Sequence, residues 1–179
     1  MESSVPVMIA ALKINVGLAL VGDPREGLYV PFVGDGLAAG EGLAPGAVID
    51  CLGSLWPSEA GPGRSWCAFD SKQTLSAFAE LGLALPLPSD DIGLAAQLVD
   101  PAGAKNVSTL AAGISGMEVQ AWEEVAGRGA KAVSAEALPL EQAASWAVHQ
   151  TAAVHLLRAE LRKRIESDGL AALYEEVEV

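Results

Sequence analysis

This chain predicts an α/β fold with a mixed central sheet flanked by helices, on three observations. Branched apolar stretches near the N-terminus are separated by a turn, as in a hairpin. Further along, short apolar stretches alternate with helix-like patterns. One long amphipathic pattern, from Leu140 to Ile165, can cover a sheet.

Taken in order, Val7 to Ile14 and Val16 to Val21 read as strands. Gly22-Asp23-Pro24-Arg25-Glu26-Gly27 is a turn, from which Leu28 to Val33 returns antiparallel to the second strand. Gly34 to Gly46 is rich in Gly and Ala and is expected to be loop. Ala47 to Leu55 predicts a short helix ended by Trp56-Pro57, with Glu59 to Arg64 a turn-rich connection. Trp66-Cys67-Ala68-Phe69 predicts a short buried strand ending at Asp70, and Ser71 to Leu81 a helix closed by Gly82. Pro86 and Pro88 bracket an extended piece. Ser89 or Asp90 is expected to cap a helix from about Asp91 to Leu98, stopped by Asp100-Pro101. Val107 to Ala112 is a further helix candidate. Trp122-Glu123-Glu124-Val125 precedes Gly127-Arg128-Gly129-Ala130-Lys131, a surface loop by composition. On the long helix, Leu140, Ala144, Ala147, Val154, Leu157 and Leu161 fall on roughly one face. Asp168-Gly169 ends it, and Leu170 to Val177 opens a final helix.

The length, 179 residues, fits one domain, and with 51% hydrophobic but only 5% aromatic residues its core is built from Ala, Leu and Val. The longest apolar run, Val5 to Val21, contains Lys13 and Asn15, so it reads as two strands and not a membrane span. No basic segment precedes an apolar one at the N-terminus, so the expectation is a cytoplasmic protein with no membrane partner. Cys51 and Cys67 lack any metal-binding spacing and are expected to be two buried thiols. The net charge of -12 argues against the chain gripping nucleic acid by itself, because phosphate binding needs clustered cations. The one basic cluster, Arg158, Arg162, Lys163 and Arg164, is interleaved with Glu160 and Glu166 and reads as a solvated helix face.

The other chemistry-bearing residues have structural explanations. Asp70 precedes an apolar-periodic run and suits a helix cap; the paired Asp90 and Asp91 suit a helix start better than acid–base work. His149 and His155 are spaced six apart, which does not bring both onto one helix face for metal. Trp146 is expected in the core. The Gly127 to Lys131 loop lacks the strand–turn–helix setting of a phosphate cradle.

Phe69-Asp70-Ser71-Lys72, the run to Leu81-Gly82-Leu83, and Asp91 through Leu98-Val99-Asp100-Pro101 resemble the 3′–5′ exonuclease domain of bacterial DNA polymerase I. Val16 to Val21 followed by Tyr29-Val30-Pro31 is similar to that family's second and third strands. Ala126 to Lys131 resembles its Gly-Lys-Gly loop, and Leu170 to Val179 the helix leading into the polymerase domain. The ordered set covers nearly the whole chain. The resemblance implies an RNase H-like fold, and a fragment of a longer polymerase that continues after residue 179.

In that family a set of carboxylates holds a pair of divalent metal ions, which activate water and stabilise the leaving 3′ oxygen. They come from an Asp-x-Glu, a lone Asp and a Tyr-x-x-x-Asp. Aligned here, the first motif falls on Ala11-Leu12-Lys13 and the last on Trp146 to Gln150, so only Asp70 matches in kind. One carboxylate does not hold Mg²⁺, which needs paired carboxylates and phosphates in octahedral geometry. The resemblance therefore implies a catalytically inactive domain without cofactor, a structural support beside the polymerase domain of the same chain in DNA replication and repair. DNA and Mg²⁺ would be engaged only through the parent polymerase. The Lys13 ammonium is expected near Asp70, where metal charge once sat. Two other readings stay open. One is an active divergent nuclease using Asp70 with Asp23, Asp90 or Asp91. The other is a stand-alone acidic module that binds a basic protein.

Overall fold

The computed structural model describes residues 7–12, 16–32, 42–55 and 65–178, with 7–12 given by their backbone course. Lys13 lies outside them, and with it the expected Lys13–Asp70 pairing. Val33 at the end of the expected third strand, residues 34–41 of the expected loop, and residues 56–64 with the expected Trp56-Pro57 stop and Glu59 to Arg64 connection lie outside as well.

Strands β1 (Val7–Leu12), β2 (Gly17–Asp23) and β3 (Glu26–Pro31) pair antiparallel in succession; β4 (Trp66–Ala68) runs parallel to β1, and β5 (Asp90–Asp91) parallel to β4. The order β3-β2-β1-β4-β5 is the mixed sheet expected. The hairpin turn is tighter than the sequence implied, because the Arg25 N–H donates to the Asp23 carboxylate at 2.9 Å and Asp23 still pairs with Glu26. β4 stops at Ala68, one residue early, because the Phe69 carbonyl turns away to accept the Gly93 N–H at 2.8 Å.

The longer helices among the described residues are α1 (Pro45–Leu55), α2 (Ser71–Glu80), α3 (Ile92–Val99), α4 (Val107–Ile114), α5 (Trp122–Ala126) and α6 (Leu140–Ser167). α1 starts at Pro45, two residues before the expected start, since proline is preorganised for a first helical turn. α5 was not expected; the Glu124 side chain accepts the Ala121 N–H at 2.8 Å and holds its first turn. A short 3₁₀ turn, Gly129–Lys131, lies within the expected loop. α6 ends as expected, with Gly169 at φ 71° and the Leu170 N–H returning to the Ile165 carbonyl at 2.9 Å.

The period-2 alternation of the strands sorts the helices into two layers. Leu18, Trp66 and Ala68 pack with Val48, Ile49 and Leu52 of α1 and Phe78 of α2. Ala19, Val21 and Cys67 face the other way, onto α6 and, for Val21 and Cys67, onto a core that includes α3 and α4. Small residues let α6 lie close to the sheet. Ala143 and Ala147 sit on Ala19, and a Cβ on Gly27 would be 2.3 Å from a Val148 methyl. The buried stripe of α6 is Ala143, Ala147, Thr151, Val154, Leu157, Leu161 and Ile165, so Leu140 and Ala144 are only half-buried, one position off the expected face.

Three further expectations are corrected. Cys51 is exposed, because α1 buries Val48, Ile49 and Leu52 and turns residue 51 outward; only Cys67 is buried. The final helix is a single turn, Ala171–Leu173, running into a π-helical turn over Tyr174–Glu178, because the Tyr174 side chain is drawn into the core at 1% exposure. Asp90 is neither cap nor helix start but a strand residue, paired in register with Cys67. Among the described residues no helix is long and apolar enough to cross a membrane.

A Cβ on Gly93 would meet the Phe69 carbonyl oxygen at 2.5 Å, and one on Gly113 meets nothing within 4 Å. Gly93→Ala is expected to destabilise the fold by about 1–3 kcal/mol through backbone displacement. Gly113→Ala, inside α4, is expected to stabilise it by about 0.5–1 kcal/mol. Urea midpoints followed by circular dichroism check both.

Candidate functional site

The motif positions lie along the sheet and the two ends of its helical cover. Ala11 is in β1, opposite Leu18 of β2. Asp70 follows β4 and Trp146 and Gln150 lie one turn apart on α6. The structure places Asp70 at one cavity and Trp146 and Gln150 at another. Asp70 lines one of about 310 Å³ with Phe69, Lys72, Asp91, Leu94 and Lys105. Trp146 and Gln150 line another of about 510 Å³ with Asn106, Thr109, Trp122 and Arg128. The consecutive residues 104–109 wall both, Ala104 and Lys105 on one side and Asn106 to Thr109 on the other.

Asp70 is exposed and acts as the N-cap of α2. Its backbone is extended (φ -131°, ψ 91°), its carboxylate accepts the Gln73 N–H at 2.8 Å, and its carbonyl accepts the Thr74 hydroxyl at 2.9 Å. It does not stand alone, since Asp91 lines the same cavity. Both Asp91 carboxylate oxygens are engaged, one by the Ser71 N–H at 2.7 Å and the other by the Leu94 N–H at 2.9 Å, so Asp91 caps α3 and ties it to α2.

Asp90 is 1% exposed and lies between two guanidinium groups, with Arg158 Nε at 2.6 Å and Arg162 Nε at 2.5 Å. The expected solvated face is therefore corrected in part. Arg158 and Arg162, one turn apart on α6, point into this contact, because a buried carboxylate stays ionised only with charged, hydrogen-bonding partners. Lys163 remains on the solvated side, paired with Glu160 at 2.8 Å, and Arg164 is exposed. A doublet of aspartates of which only one can cap, followed by arginines at i and i+4, is the sequence signal for this contact.

At the last motif, both side chains are donors and both reach one acceptor. The Trp146 indole N–H donates to the Gln120 carbonyl at 2.9 Å, and the Gln150 amide donates to the same oxygen at 2.8 Å. Trp146 is half-buried and not plain core; its ring meets Trp122 edge-to-face, centroids 5.0 Å apart at 70°. Asn106, Thr109 and Trp122 carry no sequence motif, and only the fold brings them to this cavity. His149 is exposed and bonded to the Ser145 carbonyl at 2.8 Å. His155 is half-buried, and burial, then the Arg158 charge, lowers its imidazole below the ordinary value. Among the described residues no three His, Cys, Asp or Glu side chains are grouped to hold a metal ion. The Trp146 indole N–H and the Gln150 amide N–H are both spent on one backbone carbonyl.

Burial, then the Asp90 charge, pushes the Cys67 thiol from 9.0 up to about 12, and the same two causes raise the Tyr174 phenol. Below about pH 9 the thiol is protonated in both folded and unfolded chains, so its contribution is constant. At higher pH the unfolded chain releases a proton that the folded chain keeps. Stability is therefore expected to fall as pH rises through this window, with Tyr174 adding to the slope above about pH 10. Urea unfolding at pH 8 to 11 checks this, and Cys67→Ala should flatten the lower part of the curve.

No protein-family model matches the chain, and no curated protein matches it. Solved structures do share its fold. The chain superposes on the POL domain of Pol1 from M. smegmatis in complex with DNA primer-template and dNTP at a TM-score of 0.67 and 20% identity. That match covers 98% of this chain but spans only 26% of the polymerase chain. Brucella melitensis NrnC matches at a TM-score of 0.67 and 16% identity, over 97% of this chain and 79% of that one. Its form with bound Mg²⁺ matches at 0.65 and 15%, over the same shares. The mixed α/β fold of this chain is thus one found both in nuclease structures and within a DNA polymerase I structure.

Proposed function

We propose that this chain is an RNase H-like, proofreading-inactive exonuclease domain that serves as structural support beside the polymerase domain of a DNA polymerase I. The observation that carries this reading is the pair of hydrogen bonds from Trp146 and Gln150 to the Gln120 carbonyl. A catalytic metal calls for oxygen acceptors at such positions; here two N–H donors are spent on the backbone. The remaining carboxylates support the same reading, because Asp70 and Asp91 cap helices, Asp90 binds two arginines, and Asp23 closes a hairpin turn. The likeness to part of the M. smegmatis polymerase supports the parent assignment. The net charge of -12 supports DNA contact through the polymerase and not through this surface.

The likeness to NrnC with bound Mg²⁺ favours a second reading, an active divergent nuclease with Asp70 among its ligands. The two readings part in a 3′–5′ digestion assay on single-stranded DNA with Mg²⁺ and with Mn²⁺. No release above a metal-free blank is expected, with Asp70→Ala indistinguishable from the unaltered chain. That variant should instead lose about 0.5–2 kcal/mol of stability as a deleted helix cap. Metal-dependent digestion abolished by Asp70→Ala would establish the nuclease.

A further inference from the structure

After the Gly169 reversal the chain forms a single helical turn and a π-helical turn, too little secondary structure to hold itself in place. Side chains do that work. The Tyr174 ring is 1% exposed within the core formed by α3, α4 and α6. Its hydroxyl accepts the Asp91 N–H at 2.9 Å and donates to the Asp91 carbonyl at 3.0 Å, across 83 residues of sequence. Arg162 bridges the two sides of this contact. Its guanidinium bonds Asp90, lies 5.5 Å from the centre of the Tyr174 ring, and reaches Glu175 at 3.2 Å and the Ser89 carbonyl at 3.1 Å. Arg158 holds the other oxygen of Asp90.

We infer that Asp90, Arg158, Arg162 and Tyr174 form a junction clamp that fixes the direction in which the chain leaves α6. On the proposed function a domain is joined beyond it, and that domain is thereby carried at a set angle and not on a tether. The identity of that domain as a polymerase domain rests on the proposed function; the clamp itself rests on the contacts above. Fixed direction is what a silent support domain requires, because support without chemistry acts only through the relative placement of bodies. Neither partner achieves this alone. β5 is two residues long and the tail has one helical turn, so each is placed by the other through α6.

Hydrogen exchange read by mass spectrometry on the 179-residue chain tests the clamp. Tyr174→Phe keeps the ring and removes the hydroxyl bonds. It is expected to speed exchange over residues 170–178 by about tenfold or more while β2 and the middle of α6 stay as protected as before. Asp90→Asn should do the same; if it loosens the whole chain, Tyr174→Phe decides. Tail exchange at coil rates in the unaltered chain, or tail protection unchanged by Tyr174→Phe, overturns the inference. The second arm uses the parent polymerase in a Cys51→Ser background. Spin labels at position 163 and in the following domain should give a narrow distance distribution that Tyr174→Phe broadens. An unchanged distribution despite a released tail overturns the clamp as a positioning device. A parent gene with no polymerase sequence downstream removes the proposed function, and the exchange result then still decides whether the tail is clamped.

Discussion

A carboxylate taken out of water must be met by charge and by hydrogen-bond donors, or it will not remain ionised. Asp90 is such a group, and Arg158 and Arg162 meet it. Because those arginines sit near the C-terminal end of a 28-residue helix, the contact sets where that helix lies along the sheet. It also holds β5 at the sheet edge, where two residues of pairing would be marginal. Through Arg162 and the neighbouring Asp91 backbone it brings Tyr174 and the tail into the same core. Removing an arginine from this set leaves the buried Asp90 with one charged partner in place of two, so strand, helix and tail depend on it together.

The layers around this contact explain the character of the candidate site. Alternation along β2 and β4 puts α1 and α2 on one face and α3, α4 and α6 on the other. α6 reaches the sheet through Ala143, Ala147 and Gly27, a close approach that positions Trp146 and Gln150 against Gln120. On the far side of residues 104–109, Asp70 and Asp91 face a separate cavity, and their carboxylates satisfy helix N-termini. Asp70 and Asp91 thereby hold the starts of α2 and α3 in place. Both Asp91 carboxylate oxygens are engaged, and one of the two bonds crosses 20 residues to Ser71.

A shared fold does not carry a shared activity, since function resides in the site built on it. Nuclease structures and a stretch of polymerase superpose on this chain with similar TM-scores, at identities of 20% and below. What separates the possible roles is the chemistry of a few side chains. Donors at the last motif, capping carboxylates and an acidic surface all fit a supporting body. The proposed junction clamp would give that role a physical form, since its contacts hold the short terminal segment against β5 and α6.

The sequence by itself determined the elements whose signals are local. Short apolar runs rich in branched residues marked β1 to β3 and a short buried run marked β4, the Pro24-Arg25 turn marked the hairpin, and Asp70, Gly82 and Gly169 marked helix ends, all through backbone preferences that act over a few residues. Ala11, Asp70, Trp146 and Gln150 were readable from motif order as candidate positions only. Their partners were not. Gln120 lies 26 and 30 residues from the side chains that bind its carbonyl, and Asp90 lies 68 and 72 from its arginines. Only the tertiary structure decided that the basic residues of α6 divide between a buried contact and solvent, that Cys51 faces outward, and that Tyr174 turns inward. Local pattern constrains backbone conformation, but the desolvation of a charge is settled by whatever the fold brings beside it.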